Sequence, residues 1–217
     1  MSRKVGVLRF LGTNCDTDVY RAVERAGLEP EWLWYQDQFS PKDFTAFLIP
    51  GGFSYGDYLR CGALAARAPV MKSLGEAAAK GFPILGICNG FQILCESGLL
   101  PGALLRNSSL RFCDSWVTLK LVNEHKSFSG SELKKVKLPV AHGEGRYFIE
   151  EDQVKKLFDD EQVWWTYENN PNGSLENIAG VFNEEKNVAG LMPHPERAVS
   201  NHMGSSDGIH FFTSLLK

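Results

Sequence analysis

Apolar residues along the first hundred positions fall into short continuous runs separated by longer stretches of helical period. Residues 5–10 are a brief apolar run that reads as a strand. Asn14-Cys15-Asp16 can cap a following helix, in which Val19, Ala22, Val23 and Ala26 recur at helical spacing before a stop at Gly27. Residues 31–35 and 44–50 read as strands, the second ending in Gly51-Gly52. Residues 70–80 have the pattern of a helix closed by Gly81. An apolar strand at 84–87 leads into Cys88, after which Phe91, Leu94, Cys95 and Gly98 share one helical face.

This strand–helix–strand alternation implies right-handed crossovers and a parallel sheet covered on both sides. The middle is richer in strands: residues 116–122 alternate and 136–141 are apolar. Beyond it, 151–160 reads as a helix, 163–168 and 188–192 as strands, and 208–216 as a closing helix with Ile209, Phe212 and Leu216 inward. The expected fold is α/β, a mainly parallel central sheet flanked by helices with additional antiparallel strands. No repeat or linker divides the chain, so residues 1–217 are expected to form one domain.

Composition narrows the function classes. With 43% hydrophobic and 23% charged residues, the 217-residue chain has ordinary soluble-globular composition. A chain this long buries roughly 70–75% of its unfolded surface and needs no disulfide or metal to hold it. The formal charge is −3 and the densest basic cluster is only Lys134-Lys135-Val136-Lys137, so nucleic-acid binding is not expected. No stretch approaches about 20 uninterrupted apolar residues, and no membrane span is expected. Met1-Ser2-Arg3-Lys4-Val5 leads directly into the first strand without an apolar signal core. The five cysteines are an odd number with no Cys-x-x-Cys spacing, which implies free thiols in a reducing cytoplasm and no structural metal. A P-loop is missing, so no ATP site is expected.

Two segments have the pattern of a nucleophile elbow, a sharp strand-to-helix turn whose flanking positions must be small. Gly52-Phe53-Ser54-Tyr55-Gly56 would suit a serine hydrolase, but Tyr55-Gly56-Asp57-Tyr58 is turn chemistry rather than a helix start. Gly86-Ile87-Cys88-Asn89-Gly90 has a strand before it and a helix after it. That position puts the thiol at a helix N-terminus, where backbone N–H groups and the macrodipole favour a thiolate. Most free cysteines are simply small buried apolar residues, and the pattern alone leaves that open for Cys88.

A thiol nucleophile needs a base. Of five histidines, two lie in His-x-Glu pairs: His142-Gly143-Glu144 among glycines, and His194-Pro195-Glu196 after an apolar strand. In extended backbone, residues i and i+2 face the same side, and Pro195 keeps His194 extended. Glu196 could then orient the imidazole. A surface histidine at a strand end is the plain alternative. His125, His202 and His210 have no such support, and a zinc site joining His194 to His202 or His210 lacks the usual spacing. Oxyanion donors would be the N–H of Asn89 and one from the Gly51-Gly52 turn.

Taken together the motifs resemble the class I, triad-type glutamine amidotransferases. Gly86-Ile87-Cys88-Asn89-Gly90-Phe91-Gln92 is similar to their nucleophile box, and Met192-Pro193-His194-Pro195-Glu196-Arg197 to their His–Glu box. Within that class the chain is most similar to the glutaminase subunits of phosphoribosylformylglycinamidine synthases. Residues 12–16, 50–60, 141–147, 172–174 and 177–180 carry that closer likeness.

The resemblance implies Cys88 as nucleophile, His194 as base and acid, Glu196 as orienting carboxylate, and Gly52 and Asn89 as oxyanion donors. It implies a glutamine pocket shaped by Gln92, His142, Arg146 and Tyr147, with no metal in this chain. It further implies ammonia delivery to a large synthetase subunit that uses ATP and Mg, a small bridging subunit, a stand-alone form and a cytoplasmic location. A serine hydrolase built on Ser54 and a non-catalytic scaffold are the competing readings.

Overall fold

Along the chain, the computed structural model runs β1 (Lys4–Arg9), α1 (Asp16–Arg25), β2 (Glu29–Trp34), β3 (Ala46–Ile49), α2 (Val70–Ala79), β4 (Ile84–Ile87), α3 (Asn89–Glu96), β5 (Ala103–Leu105) and β6 (Cys113–Leu121). There follow β7 (Lys135–His142), β8 (Arg146–Phe148), α4 (Glu151–Asp159), β9 (Val163–Tyr167), β10 (Ile178–Phe182), β11 (Val188–Leu191) and α5 (His210–Thr213). Residues 3–125, 127–128 and 133–216 are described. Nine strands form one sheet in the order β2-β1-β3-β4-β11-β10-β9-β6-β7, and β5 pairs with β8 apart from it. From β2 to β11 the neighbours are parallel, and from β11 to β7 they are antiparallel.

The apolar runs became strands because both sheet faces are covered there. Ile84, Leu85 and Ile87 of β4 have no exposed surface, and full burial of such side chains contributes about 1.5–3 kcal/mol each. The fully buried α1 residues Val19, Ala22 and Val23 are among those whose spacing predicted the helix. Its start differs from the expected cap. Cys15 is the N-cap residue and makes no side-chain capping bond, while Asp16, in the first turn, pairs with Arg9 at 2.6 Å.

Other differences have local causes. The sequence pattern did not reveal β10, whose buried run Ile178–Phe182 contains Ala179 and Gly180, residues of low strand propensity. The three-residue strands β5 and β8 are too short for a period. In place of a closing helix over 208–216, α5 lies between two 3-10 turns; it buries Phe211 and the expected Phe212, and the turn after it buries Leu215. Ile209 is partly buried, and the side chain of Leu216 lies outside the described residues. Among the described residues, no helix is long and apolar enough to cross a membrane.

Topology sets the position of the site. Strands β4 and β11 are parallel neighbours with Ile87 beside Leu191, so the residues that follow each leave the sheet at the same edge. The sheet curls until its last strand returns there: Pro139 of β7 accepts a hydrogen bond from His194 N–H at 2.8 Å.

Candidate active site

Cys88 connects β4 to α3 with φ 51° and ψ −105°, a backbone conformation that non-glycine residues seldom adopt. Such strain persists only where the surroundings enforce it. Cys88 N–H donates to Leu191 O at 2.8 Å, and α3 is pressed against β3 so closely that a Cβ on Gly90 would land on the carbonyl of Ile49. This explains the small residue after the turn, and the elbow expected at Cys88 is present.

The other elbow pattern folds differently. Tyr55, Gly56 and Asp57 all have positive φ, so Ser54 begins an irregular turn and not a helix. Its hydroxyl is buried without a hydrogen-bond partner, and its N–H donates to Asn89 Oδ1 at 3.2 Å. A serine hydroxyl with no hydrogen-bond partner has no base in place to take its proton, and this disfavours a Ser54 hydrolase.

His194 and Glu196 lie on the turn after β11, each about 1% exposed. Their Nδ1 and Oε1 atoms are 2.6 Å apart, so the carboxylate accepts from Nδ1–H and leaves Nε2 on the opposite side of the ring. Nε2 makes no hydrogen bond within the chain. Burial opposes a charged imidazole, but Glu196 and the neighbouring thiols Cys88 and Cys15 outweigh it and hold His194 well above the ordinary histidine range. Thiol, imidazole and carboxylate thus form the nucleophile–base–orienter series.

Gly52 and Asn89 present backbone donors on either side of Cys88. Asn89 opens α3, where the first N–H groups have no acceptor within the helix. Gly52 faces Thr13 in a bridge whose flanking bonds run from Cys15 N–H to Gly51 O and from Phe53 N–H to Gly12 O. Gly52 is therefore in a non-hydrogen-bonded pair and its own N–H points away from that neighbour. A Cβ there would stand 2.7 Å from Asn14 N, and its φ of 152° also calls for glycine.

Cys88, Gly52, Gln92 and His142 border a cavity of about 330 Å³, together with Phe53, Asp57 and Cys61. Its remaining wall includes the cations Arg106 and Arg111 and the carboxylate of Glu144. A larger groove of about 760 Å³ lies elsewhere, beside Leu157, Gln162 and Asn187, and holds none of the triad. Two side-chain amides brace the smaller cavity. Asn89 Nδ2 donates to Gln92 Oε1 at 2.8 Å, and Gln92 Nε2 donates to Glu144 O at 2.6 Å. Gln92 thus ties the loop after β7 to the elbow helix, with both ends of its amide engaged.

His142 is buried among different neighbours. Asn107 Nδ2 donates to the carbonyls of Arg111 and His142, which makes its Oδ1 an acceptor for His142 Nδ1–H at 3.1 Å and Gly145 N–H at 3.0 Å. Burial, with repulsion from His194, lowers His142 to about 4, so its Nε2 carries a lone pair at neutral pH.

Arg146 and Tyr147 do not border the cavity. β8 pairs with β5, and the Tyr147 hydroxyl donates to Pro101 O at 3.0 Å while its ring stacks on Phe91. Sequence reasoning did not single out Asp57, Arg106 or Arg111 as pocket residues, because loop residues carry no periodic signal, whereas Glu144 borders the cavity as its pairing with His142 suggested. Cys15 was another omission: its sulfur accepts from Arg197 Nη2 at 3.1 Å and faces the His194 ring.

Comparison with known proteins gives a consistent result. Residues 2–208 match the CobB/CobQ-like glutamine amidotransferase domain. Among solved structures the chain is similar to PurLQS from Thermotoga maritima, at 46% identity and TM-score 0.91, covering 100% of this chain and 98% of that one. It also shares its fold with a protein from Thermoplasma acidophilum described as part of a GMP synthase, at 12% identity and TM-score 0.64, over 98% and 94% of the two chains. A glutamine amidotransferase from Thermotoga maritima matches at 18% identity and TM-score 0.59, over 90% and 77%. With an elbow cysteine facing a buried His–Glu pair and a family match over nearly its whole length, the chain belongs to the CobB/CobQ-like glutamine amidotransferase family.

Proposed function

We propose that the chain is the glutaminase subunit of a phosphoribosylformylglycinamidine synthase, with residues 1–217 acting as one amidotransferase unit. The observation that carries this is the strained Cys88 beside the His194–Glu196 pair, in a chain 46% identical to PurLQS.

The Cys88 thiolate attacks the side-chain amide carbon of glutamine. Asn89 and Gly52 N–H groups receive the oxyanion that forms. As the tetrahedral species collapses, the C–N bond breaks and imidazolium Nε2–H supplies the proton that the departing ammonia takes. Neutral His194 then removes a proton from water, whose oxygen attacks the thioester. Glutamate leaves, and the thiolate and imidazolium are restored. Arg106 and Arg111 suit the substrate α-carboxylate, while Asp57, Glu144 and the neutral Nε2 of His142 suit its ammonium group.

Ammonia passes to a large synthetase subunit that binds ATP, Mg and the ribonucleotide, so this chain needs no cofactor. A small bridging subunit completes the complex, which works in the cytoplasm without nucleic acid or membrane. Support for docking at the cavity mouth comes from the exposed apolar residues Phe53, Tyr58, Leu59, Leu110 and Phe112 on its bordering segments.

Limited alkylation of the native protein, with and without millimolar glutamine, tests the core of this reading. Mass spectrometry of all five cysteines should find Cys88 labelled fastest and protected by glutamine. Uniformly slow labelling that persists with ATP and the large synthetase partner present would indicate a scaffold. Rapid labelling elsewhere with Cys88 inert would overturn the assignment.

A further inference from the structure

Three buried residues around the cavity carry one continuous run of hydrogen bonds. Ser54 N–H donates to Asn89 Oδ1 at 3.2 Å, Asn89 Nδ2 to Gln92 Oε1 at 2.8 Å, and Gln92 Nε2 to Glu144 O at 2.6 Å. Ser54, Asn89 and Gln92 are all buried, which strengthens each bond and makes each one costly to break. Backbone groups at both ends fix the direction of the run. The N–H of Ser54 requires Asn89 Oδ1 to face it, which turns Nδ2 to Gln92 and in turn Nε2 to the Glu144 carbonyl. Flipping either amide would set donor against donor and acceptor against acceptor in a buried place.

The run joins segments far apart in sequence. At one end is the loop after β3, which carries Gly52. Tyr55, Asp57 and Leu59 in that loop have φ of 54°, 55° and 71°, so its backbone is strained. Such a loop keeps its shape only where neighbours hold it. Leu11 O and Gly12 O accept from Tyr55 and Phe53 N–H on the β1 side, and Asn89 holds Ser54 from the elbow side. At the other end, His142 and Glu144 border the cavity. We propose that the side chain of Asn89 is a positioning residue. Through Ser54 and Gln92 it locks the loop carrying the Gly52 N–H to the loop carrying His142 and Glu144, so that the oxyanion and substrate sites are built as one unit. This role belongs to the side-chain amide and is separate from that of the Asn89 backbone N–H, which alanine at this position would also supply.

The kinetic consequence rests on the glutaminase reading, but the coupling of the two loops does not. Asn89→Ala keeps the backbone donor and removes the link. In the full chain, with the synthetase partner present if turnover needs it, kcat for glutamine hydrolysis should fall about 10–10²-fold. Labelling of Cys88 by iodoacetamide without glutamine forms no oxyanion and should stay within about twofold of wild type. Gln92→Ala should also lower kcat, and the double variant should be no worse than Asn89→Ala by more than about threefold. An unchanged kcat, a loss of labelling equal to the loss of turnover, or losses that multiply in the double variant would each overturn the proposal. Amide hydrogen exchange read by mass spectrometry tests the coupling without activity. Gln92→Ala should speed exchange in residues 53–57, and Asn89→Ala in residues 143–146, segments to which the altered side chain makes no hydrogen bond. Faster exchange confined to the segment each side chain bonds would also overturn it. Coupled exchange in a chain that hydrolyses no glutamine even with its partner would instead refute the function and leave the lock standing.

Discussion

Two His-x-Glu pairs with the same spacing lie at the site, and the structure gives them opposite chemistry. At 194–196 the carboxylate turns onto its own histidine at 2.6 Å, and His194 is held well above the ordinary histidine range. At 142–144 the carboxylate turns outward to Arg106 at 3.5 Å, and His142 bonds to a neutral amide and is lowered to about 4. Burial is nearly equal, so depth does not separate them. The difference is whether a negative charge lies against the buried ring. Pro195 holds the first pair in a tight turn, whereas Gly143 lets the second diverge.

The sharpest break of this comparison is removal of each imidazole. His194→Ala should lower glutaminase kcat about 10³–10⁴-fold, while His142→Ala should act mainly on KM, by about tenfold. Equal losses of kcat would show that both rings move protons. Next come the carboxylates. Glu196→Gln should cost about 10³-fold in kcat and move the pH–rate profile, whereas Glu144→Gln should stay within a few-fold. A smaller effect is expected from Asn107→Leu, which strips partners from His142 Nδ1 and Gly145 N–H. Thermal or urea unfolding should register a loss of roughly 2–4 kcal/mol. No change in the unfolding midpoint would mean that water replaces the amide.

The smallest effect is one of pH. His142 binds its proton less readily folded than unfolded, so its contribution to stability is full above about 6.5 and declines as pH falls towards about 4. The amplitude is roughly 3 kcal/mol, and His142→Asn should flatten that part of the stability curve. His194 has the opposite sign: its raised folded value contributes stability that is lost as pH rises through it. A wild-type curve without the acid-side slope would count against a buried neutral His142.

Much of the fold was legible because it is locally encoded. Strands β1, β3, β4 and β11 are apolar runs, and α1 and α3 have helical period. The turn at Cys88 is marked in the sequence by its small neighbours Gly86 and Gly90. β10 was not legible, since Ala179 and Gly180 interrupt its run with residues of low strand propensity. The family resemblance implies pocket roles for Arg146 and Tyr147. The chain turns at Gly143–Gly145, however, and β8 pairs with β5 instead.

The sequence by itself determined the elbow, the i,i+2 geometry of His194 and Glu196, and the family resemblance, because each rests on residues close together in the chain. Only the tertiary structure decided which histidine meets Cys88, since that depends on the parallel register of β4 with β11. It alone brought Asn107 under His142, Gln92 to the Glu144 carbonyl and Cys15 beside the catalytic imidazole. Those are contacts between distant segments whose loops carry no periodic signal, and burial against particular neighbours then sets the charge each group bears.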